Sequence, residues 1–278
     1  TYIIKGDEKM DVGKYSEALI YYEKAFSLNP VDYIYARIAN AKTYLNDFKG
    51  AINICKEGIK VNPNNSNLFH LCGVAQSHLG AFKEASKSYS KAIELNSNEQ
   101  EVYTNSAELK TSLGDHIGAI EDLNKAIRRC KIKPYGESWE IFTVYCARGK
   151  AKQAANDFEG AIKDFDKSIE VADTEIVAYV FNHRGFLKAK MEDFEGAIKD
   201  FDKGIWNLMQ LKGKRNIAYS LDAVKKMESD LYCNRADVKK KLGANQEALS
   251  DYDNAIQTCP TYAKAFNNRG LLKAKMED

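Results

Sequence analysis

The chain has 278 residues, 44% of them hydrophobic and 29% charged, and carries a formal net charge of +2. These are the proportions of an ordinary soluble protein, and so balanced a charge gives no electrostatic drive toward nucleic acid or an anionic membrane. No apolar run approaches the roughly 20 residues that a bilayer-spanning helix needs, so no membrane span is expected.

Taken in chain order, the sequence repeats one pattern eight times. A small residue marks each copy: Gly6, Ala39, Gly73, Ala107, Gly149, Gly185, Ala236 and Gly270. Twelve residues after each mark comes an alanine, at Ala18, Ala51, Ala85, Ala119, Ala161, Ala197 and Ala248, and the eighth copy stops before reaching its own. Within copies the separation is always 12, whereas successive copies lie 33, 34, 34, 42, 36, 51 and 34 residues apart. Such a pattern describes one rigid supersecondary unit, stacked, with insertions admitted only at the joints.

Each copy reads as two amphipathic helices with a short break. In the third, Leu68, Phe69, Cys72, Val74 and Ala75 form one apolar face, and Phe82, Ala85, Tyr89, Ala92 and Ile93 form the next. Gly13, Gly80, Gly114 and Gly243 share the position where the first helix must end, with Asn46 and Asn156 in two other copies. Positive φ is least costly for those residue types. The small marks let the paired backbones approach closely. Copies close at Asn29-Pro30, Asn62-Pro63 and Cys259-Pro260, where proline cannot continue the second helix.

Aromatics recur in register. Tyr35, Phe69, Tyr103, Tyr145, Phe181, Tyr232 and Phe266 hold an early position; Tyr15, Phe48, Phe82, Phe158 and Phe194 a second; Tyr22, Tyr89, Phe165, Phe201 and Tyr252 a third. This pattern resembles the tetratricopeptide repeat family over nearly the whole chain. His116 and Asn245 replace the second aromatic and Cys55 and Leu123 the third, so those copies are expected to pack less firmly. The resemblance implies an all-α, right-handed superhelical solenoid of stacked helix-turn-helix repeats. Repeats one to four would occupy residues 1–130, an insertion 131–140, and repeats five and six 141–210. A second insertion, with a helix extension carried by Ile217, Leu221 and Val224, would span 206–228. Repeat seven would occupy 229–260, and the first helix of a truncated eighth 261–278. The chain opens at Thr1 and closes at Met276-Glu277-Asp278, where an earlier copy runs Met191-Glu192-Asp193 straight into Phe194. A cut through the eighth copy is expected, with a capping helix as the alternative.

No catalytic constellation is found. There is no Gly-rich phosphate loop, nucleophile elbow or metalloprotease helix, and no cofactor is expected. Cys55, Cys72, Cys130, Cys146, Cys233 and Cys259 sit at unrelated positions without a C-x-x-C. They read as small hydrophobes in a reducing compartment, which implies the cytoplasm. His70 and His78 share a helix face, but Cys72 points to the packed side, so the three cannot converge on a metal. His116 occupies an aromatic core position, and His183 is expected to face solvent or groove.

In the family that the chain resembles, the first helix of each repeat lines the concave surface. The positions carried over as a peptide-binding groove include Tyr33, Arg37 and Asn40 in the second copy, His70 in the third, and Asn105 and Glu108 in the fourth. Lys150 follows in the fifth, Tyr179, Asn182 and His183 in the sixth, Asn234 and Asp237 in the seventh, and Asn268 in the eighth. A row of amides has donors and acceptors for the backbone of an extended peptide whatever its side chains. The family's carboxylate clamp for a chaperone tail ending Glu-Glu-Val-Asp needs a Lys and Asn one turn apart, then an Asn, then a Lys and Arg, in three successive copies. No window holds that set, so such a tail is not the expected ligand.

Late copies add Arg148, Arg184, Arg235 and Arg269 just before the mark, and Asp164, Asp200 and Asp251 on the second helix. Their joint appearance predicts an Arg–Asp pair between packed helices. Both tryptophans, Trp139 and Trp206, fall at the joints. Each is expected to cover an apolar gap, the alternative being a partner hot spot. The functional expectation is a non-enzymatic scaffold or adaptor holding a peptide or helix of a partner protein. The alternative is a regulatory module of a larger enzyme or transport-machinery protein.

Overall fold

The computed structural model describes residues 2–95, 100–129, 138–172, 177–211 and 220–277, and every regular element among them is an α-helix. The chain divides into two compact units, Thr1–Cys130 and Lys131–Asp278. The first contains α1 (Tyr2–Asp11), α2 (Tyr15–Leu28), α3 (Asp32–Tyr44), α4 (Phe48–Val61), α5 (Ser66–His78), α6 (Phe82–Glu94), α7 (Gln100–Ser112) and α8 (His116–Arg129). The second contains α9 (Ser138–Ala154), α10 (Phe158–Val171), α11 (Ala178–Lys190), α12 (Phe194–Leu211), α13 (Leu221–Lys241), α14 (Asn245–Thr258) and α15 (Ala263–Glu277). Within each unit the helices pair as antiparallel hairpins, and each hairpin stacks on the next: a helical repeat solenoid. First helices adjoin one another as well, α3 with α5 and α5 with α7, and α9, α11, α13 and α15 in series. No helix among the described residues is long and apolar enough to cross a membrane.

Local chemistry explains the hairpins. Gly13, Gly80, Gly114 and Gly243 turn the chain at φ between 73° and 84°, and Asn46 and Asn156 do so at 60° and 62°. The left-handed turn lets the next amide reach back into the last helical turn, as Lys14 N does to Lys9 O at 2.8 Å. In four copies an aspartate then caps the second helix: Asp47, Asp115, Asp157 and Asp193 each accept from the amide three residues on at 2.9 Å. In all four copies that third residue is glycine, and the capping carboxylate lies close against its Cα. In the sixth copy the turn residue is Glu192, held at φ 66° with no relief from its side-chain type. Glu192→Gly should therefore stabilise the second unit by about 1 kcal/mol, seen as a rise in Tm of a few degrees; an unchanged or lower Tm contradicts this.

Between paired helices, the group seated over the glycine marks Gly6, Gly73, Gly149 and Gly185 is the aromatic ring sixteen residues on. A Cβ at Gly6, Gly73, Gly149 or Gly185 would lie 2.4–2.8 Å from the ring of Tyr22, Tyr89, Phe165 or Phe201. Where the mark is alanine, the residue opposite shrinks: Ala39 goes with Cys55 and Ala107 with Leu123. Both smaller residues are 0% exposed, and an alanine methyl replaces part of the ring. Ala236 with Tyr252 is the exception, and there the phenol is anchored by Asp237 at 2.5 Å.

Between paired helices of the second unit, the expected Arg–Asp pairs form. Arg148, Arg184 and Arg235 each donate from Nε and Nη2 to both oxygens of Asp164, Asp200 and Asp251, at 2.8 and 2.5 Å in every case. The carboxylates are buried, and a lysine one turn beyond each arginine (Lys152, Lys188, Lys239) closes on the same group at 2.8–3.0 Å. A second layer was not legible as a pair. Nη1 of Arg184, Arg235 and Arg269 reaches back to Asp166, Asp202 and Asp253 of the preceding hairpin at 2.5–2.6 Å. Each Asp-aromatic-Asp triplet thus serves two hairpins, which fixes the register of stacking. The fourth copy keeps the aspartate, Asp122, but meets it with Ser106 and Lys110 at 2.8 and 2.6 Å.

At the second joint, α12 and α13 run to 18 and 21 residues, and Leu208, Leu211, Val224 and Leu231 share one buried cluster. Trp206 is no part of it. The indole is 64% exposed on α12, so it does not cover an apolar gap as expected. Ile217, residues 131–137 and the side chain of Trp139 lie outside the described residues. Cys55, Cys72, Cys146 and Cys233 are buried thiols, and no disulfide forms among the described residues. Burial raises the Cys55 and Cys72 thiols and pushes Cys233 up to about 12, which makes them poor nucleophiles.

Candidate functional site

Adjoining first helices bring successive copies' face residues within reach of one another. In the second unit Asn234 Nδ2 donates to Asn182 Oδ1 at 2.9 Å, and Lys264 Nζ donates to Asn234 Oδ1 at 2.8 Å. One turn along α13, Asp237 accepts from the Tyr252 hydroxyl at 2.5 Å and from Asn268 Nδ2 at 3.1 Å, with Lys264 Nζ 3.6 Å away. Burial and the Asp237 carboxylate together keep the Tyr252 phenol protonated far above its ordinary range. Asn234, Asp237, Lys264 and Asn268 join Phe186, Lys190, Lys240 and Lys241 around a cleft of about 330 Å³. Lys190 Nζ sits 5.1 and 5.3 Å from the ring centroids of Phe158 and Phe186, a cation–π clamp that holds the ammonium over the cleft. Four lysines against one carboxylate give the cleft a positive field.

Asn182, Asn234, Asp237 and Asn268 are therefore assembled into one place. His183, beside Asn182 in sequence, turns the other way. Its Nδ1 lies 3.3 Å from Gln153 Oε1 on α9, and its ring stacks on Phe165 at 5.7 Å. Burial, and then the charge of Lys150, pushes its pKa down to about 4. The imidazole is neutral at physiological pH and half-buried against Phe165. Below the ordinary histidine value of 6.5 the unfolded chain binds a proton that the folded chain refuses until about pH 4. Stability is then lost as pH falls through that window, by up to about 3 kcal/mol. His183→Gln should flatten the fall of Tm between pH 6.5 and 4; parallel curves for the two proteins contradict this. Tyr179 is half-buried, edge-on to Phe142 at 5.9 Å.

The first unit holds the remaining residues in two groups. Arg37 donates from Nε and Nη2 to Asp7 at 2.8 and 3.1 Å, while the Tyr22 hydroxyl donates to the same carboxylate at 2.7 Å. Although burial opposes it, these bonds hold the Asp7 carboxyl below its usual value. The Arg37 guanidinium also lies 5.5 Å from the Tyr33 ring centroid, and Asn40 is half-buried one turn on. Further along, Asn105 Nδ2 lies 3.0 Å from His70 Nε2, which makes the imidazole the acceptor. His70 is only 4% exposed, so it acts on the face through Asn105. Asn105 and Glu108 line a cleft of about 340 Å³ with Val74, His78 and Tyr89.

Asp7 and Lys240 were not among the residues read from the sequence. A signal for Asp7 exists: it stands fifteen residues before Tyr22, as Asp237 stands fifteen before Tyr252. A carboxylate one residue after the mark and a tyrosine, rather than phenylalanine, at the third aromatic position form one hydrogen-bonded motif. Nothing in the local pattern marks Lys240, which enters the cleft only through the stacking of α13 on α11 and α15.

The model of the tetratricopeptide repeat matches residues 1–32, 33–65, 67–99, 100–131, 142–174 and 229–262. Hsp70-Hsp90 organizing protein 3 of Arabidopsis thaliana is 26% identical over 213 residues, 71% of this chain and 37% of that protein. The chain thus spans little more than a third of that relative's length. Among solved structures, a tetratricopeptide repeat protein of Parabacteroides merdae aligns with TM-score 0.60 at 14% identity, covering 98% of this chain and 97% of that one. PilW, a type IV pilus biogenesis factor, aligns with TM-score 0.67 at 15% identity, covering 86% and 98%. With the repeat matched over more than half its length and the hairpin stack in place, the chain belongs to the tetratricopeptide repeat family.

Proposed function

We propose that this chain is a non-enzymatic protein-interaction adaptor that holds an acidic, extended segment of a partner protein on the first-helix face of its second unit. The cleft around Asn234 carries the reading. Its lysines supply attraction for carboxylates, Phe186 supplies an apolar contact, and the Asn182–Asn234 pair leaves donors and acceptors for a peptide backbone. Membership of the repeat family supports an interaction role. The similar Hsp70-Hsp90 organizing proteins suggest chaperones as cargo, but the clamp set for a Glu-Glu-Val-Asp tail is incomplete here, so an internal acidic segment fits better. The buried thiols agree with a reducing, cytoplasmic setting. As the chain spans 37% of the first relative, the same face could equally serve a segment of a longer parent protein.

The test is affinity capture from source lysate with the wild type and an Asn182→Ala, Asn234→Ala, Lys264→Glu variant of equal helical content. A partner held by the wild type and lost by the variant supports the reading. Identical captures by both would move binding to another surface, with the exposed Trp206 the first place to look.

A further inference from the structure

The second aromatic of a copy takes its cover from the next copy's first helix. In the first unit the cover is another ring: Tyr44 stacks on Tyr15 at 4.6 Å and His78 on Phe48 at 4.7 Å. In the second unit it is an ammonium: Lys190 Nζ lies 5.1 Å from the Phe158 centroid and Lys241 Nζ 5.7 Å from that of Phe194. All four covers stand five residues after their own mark. The rings that they cover, Tyr15, Phe48, Phe158 and Phe194, are half-buried. For Phe82 of the third copy the corresponding residue is Ser112, whose side chain is too short to span a ring. Phe82 is 44% exposed.

Ser112 also lines the first unit's cleft of about 340 Å³, and the polar groups there are set to accept hydrogen bonds. Ser112 Oγ donates to Leu109 O at 2.7 Å, which leaves the hydroxyl its lone pairs. Asn105 turns its amide nitrogen onto His70, which leaves its carbonyl oxygen as the acceptor that it offers. Glu108 adds a carboxylate, and no lysine or arginine is among the described residues lining the cleft. Val74 and Leu109 supply apolar wall. A lysine side chain has the matching profile: a four-carbon stem for the walls, and an ammonium with three donors and no acceptor. An acidic side chain, which suits the cleft of the second unit, meets like charge here.

We infer that this cleft binds a lysine side chain of a partner polypeptide, with its ammonium seated over the Phe82 ring and hydrogen-bonded by Glu108, Asn105 and Ser112. The ligand supplies from outside the cover that Lys190 and Lys241 supply from within the chain. All of these contacts lie in the first unit, so the inference stands independently of the acidic-segment reading of the second.

The probe is an end-blocked Gly-Ala-Lys-Ala-Gly peptide, titrated into the isotopically labelled 278-residue chain and followed by two-dimensional NMR. Saturable shifts of the Phe82, Asn105 and Ser112 amides are expected, with a Kd of about 1 mM. Acetylating the peptide's lysine removes the charge and should weaken binding at least about fivefold. Ser112→Lys in the chain, checked for unchanged helical content, fills the seat internally and should weaken it comparably. Binding that saturates nowhere up to about 20 mM peptide, equal binding of the acetylated peptide, or unchanged binding to the Ser112→Lys chain overturns the inference. So does tighter binding of the same peptide with phenylalanine in place of lysine, which would make the seat one for a ring, as at Tyr15 and Phe48.

Discussion

Replacing Gly185 by alanine should lower the stability of the second unit by about 2 kcal/mol, and adding Phe201→Leu should restore most of that loss. The added methyl would lie 2.8 Å from the edge of a ring that is 0% exposed. Neither helix can retreat without disturbing the next hairpin, so the ring must leave its rotamer or the helices must part. Phe201→Leu alone creates a cavity and costs about 1 kcal/mol or more. In the double variant the new methyl occupies that space, as Ala107 does opposite Leu123. The expected signature is a strongly favourable coupling energy, with the Gly185→Ala melting transition lowered by several degrees and the double variant melting above it. Additive losses would show that Cys55 and Leu123 are not compensations for their alanine marks.

Arg184→Leu is expected to cost about 3 kcal/mol, the lower end of the range for breaking a buried ion pair. The aspartate left behind is 2% exposed, which makes an uncompensated charge costly. Lys188 remains 2.9 Å from it and offsets part of the loss. The second contact, to the half-exposed Asp166, adds little, because a solvated partner regains water. Arg184→Leu with Asp200→Leu should be distinctly more stable than Arg184→Leu alone. Since neither residue lines the Asn234 cleft, partner binding at permissive temperature should be unchanged. A variant that melts normally but loses its partner would mean that Arg184 belongs to the binding surface instead.

How much of this was legible beforehand depends on the range of the interaction. The repeat, the turn positions and the Arg–Asp pairs were readable because all are set within one hairpin, at fixed separations of 12, 16 or fewer residues. Even there, spacing shows which residues recur but not which side chain fills the gap over a glycine mark, the ring sixteen residues on. Contacts between hairpins cross joints of variable length, so no fixed offset reveals them. That is why the Arg235–Asp202 bond, the Asn182–Asn234 pair and the place of Lys240 emerge only from the structure. Glu192 was missed for a different reason: residue type signals a left-handed turn for Gly or Asn but not for Glu. The groove list was mixed for a related reason. Helical register puts His70 and His183 on the first helices, but packing against Tyr89 and Phe165 buries His70 and half-buries His183.

The most direct test of the central claim, that the first-helix face of the second unit binds the partner, is site-specific photocrosslinking. A p-benzoylphenylalanine replaces Lys190 beside the Asn234 cleft, or Lys203 or Trp206 on the exposed surface of α12, and each protein is irradiated in source lysate. The account predicts a discrete adduct from position 190 that is competed away by an acidic peptide, with none from position 203 or 206. An adduct at 206 or 203, with position 190 silent, would contradict it.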